Sequence, residues 1–165
     1  MSAALRRERS ALALLVFAAA GVGISAYLTT LHYADVAPVC TTGGIVDCAS
    51  VLQSSWSTVP GTSLPVTVPG LLWFAVSGTL ALLSLRAAAS GRAEPRGLRG
   101  LHAFWAVAGM VAVLYLVWAE LVELRRICEW CTAVHLLVLA SLLVTLVRLQ
   151  PAGETEAELD RDPAA

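Results

Sequence analysis

Lysine and asparagine are absent from the chain. Without asparagine there is no N-glycosylation acceptor, and without lysine all positive side-chain charge rests on 11 arginines. Charge of either sign is scarce: 14% of residues are charged and the formal net charge is −1, so nothing suggests a surface for nucleic acid. Internal repeats and a glycine-rich phosphate loop are also missing. Cysteine is limited to Cys40, Cys48, Cys128 and Cys131. What fills the chain instead is apolar: 58% of 165 residues, too much for an ordinary soluble domain of this length.

Four apolar stretches run roughly from Ala11 to Leu31, Pro69 to Ala89, Leu101 to Leu124 and Ile127 to Leu149. Each is near the ~20 residues that cross ~30 Å of hydrocarbon. They predict an all-α, polytopic membrane protein, a four-transmembrane-helix bundle with an extracytoplasmic loop and a short interfacial helix, in contact with the lipid bilayer. One membrane domain is expected over residues 1–150, followed at 151–165 by an acidic, disordered cytoplasmic tail. The basic start Arg6-Arg7-Glu8-Arg9 has the character of a signal-peptide n-region. The apolar run behind it continues through Tyr27 and Leu28, beyond the ~7 to 15 residues of an h-region, so an uncleaved first span is expected.

Arginine is distributed unevenly. Nine of the eleven precede the first stretch, lie between the last turn of the second and the start of the third, or lie at or beyond the end of the fourth; only Arg125 and Arg126 fall on the other side. The positive-inside rule then puts both termini in the cytoplasm of a cell membrane. Four crossings bring the segment with Cys40 and Cys48 to the same, extracytoplasmic side as the turn with Cys128 and Cys131. That is the compartment in which disulfides persist.

Residues 34–69 are rich in Gly, Pro, Ser and Thr and read as a flexible loop, with Thr41-Thr42-Gly43-Gly44 inside the first cysteine pair. Asp47 is placed to cap a short helix from Cys48 to about Trp56. Its Val51, Leu52 and Trp56 would lie at the bilayer interface or cap the bundle. Pro60-Gly61 marks a turn, and Pro65 and Pro69 lead into the second span. His32 and His102 fall at span ends on opposite sides and read as interfacial residues rather than ligands.

Cys128-Glu129-Trp130-Cys131 is a CxxC pair opening the fourth span. On a helix, Cys128, Cys131 and His135 share a stripe about 60° wide at ~100° per residue. They are expected to face one pocket. A helix N-terminus and the neighbouring Arg125 and Arg126 favour thiolate over thiol. His135, one turn deeper, would sit in hydrocarbon, where an ionisable group is costly and usually functional. It could donate a hydrogen bond to a bound carbonyl, or simply bond another helix. Cys40 and Cys48 enclose seven residues, which suits either a disulfide that opens and re-forms or a structural staple. A four-cysteine zinc site would want two CxxC-like pairs, which this spacing does not supply, so no metal is expected.

The ordered set Cys40-x7-Cys48, Ser54-Ser55-Trp56, Gly70-Leu71-Leu72-Trp73-Phe74 and Cys128-Glu129-Trp130-Cys131 resembles the vitamin K epoxide reductase family, specifically its bacterial, single-domain, disulfide-forming members. The resemblance covers residues from about 10 to 149. It implies a four-helix bundle around a quinone, menaquinone or ubiquinone, capped by a loop and short helix. It also implies a thioredoxin-like extracytoplasmic partner, expected here as a separate protein. Carried over by position, Cys40 would exchange with the partner, Cys48 would pass electrons to Cys128, and Cys131 would lie against the quinone. Ser54 matches a family serine near the active site, and His135 stands where relatives have a Tyr or His that bonds the quinone oxygen. Trp56 belongs to the same expected quinone-binding group. Many relatives carry an Asn near the start of the second span, where this chain has Val66-Thr67. Quinone orientation would then fall to His135, Thr67 or backbone groups.

The activity implied is that of a quinone-dependent thiol-disulfide oxidoreductase supporting disulfide-bond formation. Two alternatives use the same residues: reduction of a quinone or of vitamin K epoxide as the useful product, and a non-enzymatic four-span scaffold whose cysteines are structural bridges.

Overall fold

A computed structural model describes residues 3–41 and 43–150; the acidic tail, including Arg161, and Thr42 within the first cysteine loop lie outside the described residues. Helix α1 (Ala3–Ala34) is followed by a short α2 (Cys48–Leu52) and a 3-10 turn (Ser55–Ser57). Then come α3 (Thr67–Ala89), α4 (Arg96–Trp118), which runs on as a π-helical turn (Ala119–Leu124), and α5 (Glu129–Leu149). The long helices satisfy their own backbone groups, which hydrocarbon demands. All four are long and apolar enough to cross a membrane. Leu12, Val16, Leu72, Phe104, Val111, Leu143 and Val147 point outward, as a lipid-facing surface requires. The chain is a multi-pass membrane protein.

Close approach of the helices depends on missing side chains. A Cβ at Gly21 would fall 2.3 Å from the ring of Phe74, so α1 meets α3 backbone to ring. Gly109 does the same for α4, where a Cβ would lie 2.4 Å from Trp73. The latter contact is reinforced by a reciprocal pair. The Trp73 indole donates to the carbonyl of Trp105 (3.0 Å) and the Trp105 indole to the carbonyl of Trp73 (3.1 Å). Each half-buried indole N–H thereby finds a hydrogen-bond partner.

The end of the bundle remote from the cysteines is closed by an ion pair. Glu94, in the loop between α3 and α4, receives both a hydrogen bond from Ser84 and the guanidinium of Arg148 (2.9 Å), from the last turn of α5. His102 is buried beside them. It thus stands near the start of its span, as expected, but packed inside the bundle rather than on its surface. The short helix is corrected. It ends at Leu52 rather than near Trp56, because Ser54 is extended and its hydroxyl donates back to the Val51 carbonyl (2.7 Å). Trp56 then caps the bundle, its ring centroid 5.6 Å from that of Trp118 and 6.0 Å from that of Tyr115.

Removing one partner of a buried ion pair leaves the other uncompensated, at a cost of about 3–5 kcal/mol. Glu94→Ala is expected to lower the Tm of the detergent-solubilised protein accordingly. Replacement of the exposed Arg92 by Ala should leave the Tm unchanged.

Candidate functional site

The site is assembled where the first loop crosses the start of α5. Backbone pairing sets the register: Ile127 N–H donates to the Ile45 carbonyl (2.9 Å), and Asp47 N–H to the Ile127 carbonyl (3.1 Å). Three side chains extend this strap. Arg126 donates to the Gly44 carbonyl (3.1 Å), Trp130 to the Val39 carbonyl (2.9 Å), and the Glu129 carboxylate accepts the Thr41 N–H (3.2 Å). The segment expected to be a flexible loop is thus anchored on both sides of its glycines, with Gly44 in the left-handed region at φ +60°.

Asp47 caps α2 by accepting the Ser50 N–H (3.0 Å) and the Ser50 hydroxyl, bonds that hold its carboxyl below the ordinary carboxylate value. The cap turns Cys48 inward. Cys48 and Cys128 are 1% and 0% exposed and share one cluster with Leu28, Val51 and Leu52, against which Cys40 and Cys131 also pack. The four cysteines are therefore gathered at one end of the bundle. Cys40 and Cys48 form a disulfide, with Cα atoms 6.3 Å apart, while Cys128 and Cys131 are free thiols.

Cys128 stands at the N-cap of α5, where its sulfur accepts the Cys131 N–H (3.4 Å). The Cys131 thiol, and then the amides of Cys131 and Trp130, hold the Cys128 thiol below its ordinary value despite the opposing effect of burial. Donors aimed at sulfur favour thiolate, the nucleophilic form.

Cys131 turns the other way, toward a cavity of ≈ 420 Å³ between α1, α3, α4 and α5. Val66, Phe74, Trp105, Ala112, Val113 and Val138 are among the apolar residues that line it, with Thr67, Cys131 and His135. His135 is 8% exposed, and nothing among the described residues hydrogen-bonds its imidazole. The Thr67 hydroxyl lies 2.7 Å from that of Thr29. Ser54, Trp56 and Thr67 also surround a smaller recess of ≈ 50 Å³ that Cys131 and His135 share. The expected site residues Cys40, Cys48, Ser54, Trp56, Thr67, Cys128, Cys131 and His135 thus all come to the cysteine end.

One further residue is there that sequence reasoning missed. Glu120, on the π-helical turn, is 7% exposed and borders the small recess together with Cys131 and His135. The available signal was an acid inside an apolar run, the costly placement that marked His135.

Residues 12–146 match the sequence model of the Vitamin K epoxide reductase family, and the chain belongs to that family. It is a membrane redox enzyme of the thiol and quinone-linked kind. A search of curated proteins gave no match.

Trp130→Phe keeps the ring against Tyr27 but deletes the donor to Val39. The loss of about 1 kcal/mol should speed amide exchange of residues 39–45 roughly fivefold, measured by hydrogen-exchange mass spectrometry.

Proposed function

We propose that the protein oxidises a thioredoxin-like extracytoplasmic partner and passes the electrons through its two cysteine pairs to a membrane quinone. The observation that carries the reading is the back-to-back placement of the inner pair, with Cys128 against Cys48 and Cys131 at the apolar cavity. The asymmetric arginines support an extracytoplasmic position for this end.

Electron flow is written as thiol-disulfide exchange. A partner thiolate attacks Cys40 of the outer disulfide, and a second partner thiol releases Cys40 and Cys48 as a dithiol. The Cys48 thiolate attacks Cys128 of an oxidised inner pair, displacing Cys131. Attack of Cys40 on Cys48 re-forms the outer disulfide and frees Cys128. The resulting state, outer disulfide and inner dithiol, agrees with the bonded Cys40 and Cys48 and the free Cys128 and Cys131.

The apolar lining and the unpaired imidazole of His135 suit a flat apolar ring with carbonyl oxygens. Bound there, a quinone supplies the acceptor for two electrons and two protons. Cys131 would bear on the ring, and His135 would donate to an oxygen on which negative charge develops. Thr67 lines the cavity, and Ser54 and Trp56 line the smaller recess that Thr67, Cys131 and His135 share with it.

Purified protein supplied with a reduced thioredoxin-like donor should reduce quinone. Cys131→Ala is expected to abolish this, and Cys40→Ala to lose the protein donor while still oxidising small dithiols. In Cys40→Ala/Cys131→Ala, a Cys48–Cys128 disulfide should accumulate and be seen by peptide mass spectrometry. Normal quinone reduction by Cys131→Ala would overturn the reading.

A further inference from the structure

Glu120 takes no part in the thiol-disulfide exchanges, yet it occupies a position that a purely structural carboxylate would avoid. It is buried at the end of a membrane-spanning helix, and among the described residues it makes no ion pair. An unpaired carboxyl in such surroundings is costly. The backbone is shaped to keep it there. The chain widens into a π-helical turn at Ala119–Leu124, the Glu120 carbonyl accepts the Arg126 N–H (3.0 Å), and Arg125 closes the turn in the left-handed region at φ 51°. π-turns inside α-helices recur at functional sites. The groups that face the carboxyl are His32 from α1, Cys131 and His135 from α5, and Cys128 ahead of α5.

We propose that Glu120 is the acid-base residue of the inner pair, removing the proton of the Cys131 thiol as the Cys128–Cys131 disulfide forms. The inference rests on the relay reading. At the start Cys128 is a thiolate, Cys131 a thiol and Glu120 a carboxylate. The Cys131 S–H bond breaks toward Glu120, the S–S bond forms, and the two electrons released pass to the quinone. Glu120 then gives its proton to a quinone oxygen. The second proton comes from water, replacing the one Cys128 lost on becoming a thiolate. Over the cycle two thiols and a quinone become a disulfide and a hydroquinone, and Glu120 is unchanged.

The test compares wild type, Glu120→Gln and Glu120→Asp, each reduced beforehand and mixed with quinone across a range of pH. Loss of a positioned base lowers the rate by about 10²-fold or more, so Glu120→Gln should fall by that factor and Glu120→Asp recover a measurable part. Wild type should quicken as pH rises and the carboxyl ionises, then level off. Because His32, Cys128, Cys131 and His135 face the same space, that limb belongs to Glu120 only if Glu120→Gln removes it. Infrared difference spectra between the oxidised and dithiothreitol-reduced inner pair, without quinone, should contain a carboxyl band that Glu120→Gln eliminates. Reduction of the Cys40–Cys48 disulfide by dithiothreitol should be the same in all three proteins. Quinone reduction within twofold of wild type by Glu120→Gln, with no carboxyl band, would overturn the proposal. Were wild type itself to reduce no quinone, the relay reading would fall, and the presence or absence of the band would still decide whether Glu120 exchanges a proton with the pair.

Discussion

The pairing of Ile127 with Ile45 and Asp47 is the constraint on which the rest of the site depends. It is a short piece of backbone ladder between segments about eighty residues apart in sequence. Because Cys48 follows Asp47 and Cys128 follows Ile127, fixing that register brings the two cysteines into one cluster. A slip by one residue would reverse the side-chain directions on the slipped segment and turn a sulfur out of the cluster. The side-chain bonds from Arg126, Glu129 and Trp130 all act on the same segment. The two residues between the cysteines of the CxxC motif are thus occupied in holding Cys40.

Cys48 and Cys128 can be buried because neither has to meet another molecule in the proposed relay. Cys40 and Cys131 each do, one toward the loop surface and one toward the cavity. Helical spacing gives this division at the inner pair. Cys128, at the N-cap, lies outside the regular turn and faces the loop, while Cys131, three residues on, faces the helices. In the outer pair, the Asp47 cap turns Cys48 inward and leaves Cys40 on the strap.

Much of this was legible in the sequence because it rested on local signals. Long apolar stretches carry the spans, the Asp47 cap needs only its neighbours, and the spacing of Cys131 and His135 fixes a helical face; Cys128, expected on that face, is instead the extended N-cap and turns to the loop. The parts that were not legible are those set by tertiary contact. The end of α2 at Leu52 follows from a Ser54 hydroxyl that could have bonded elsewhere. The burial of His102 reflects where α4 begins and how Glu94 and Arg148 meet. The anchored loop looked flexible because glycine, serine and threonine report only on local preference, whereas its partners lie on α5. Glu120 was hidden by its setting, one of two acids with Glu123 at the end of a run that reads as a span, and only its burial on the π-turn beside Cys131 distinguishes it.

The burial of Cys48 and Cys128 has a consequence in the language of circuits. A wire needs insulation as much as conduction, and here the insulation is Leu28, Val51 and Leu52 packed around the two sulfurs. In the proposed relay, protein thiols too bulky to pass this packing meet the outer pair at Cys40, so a protein donor has to dock on the strap. Packing that looks like ordinary core construction thereby becomes selectivity for the electron donor.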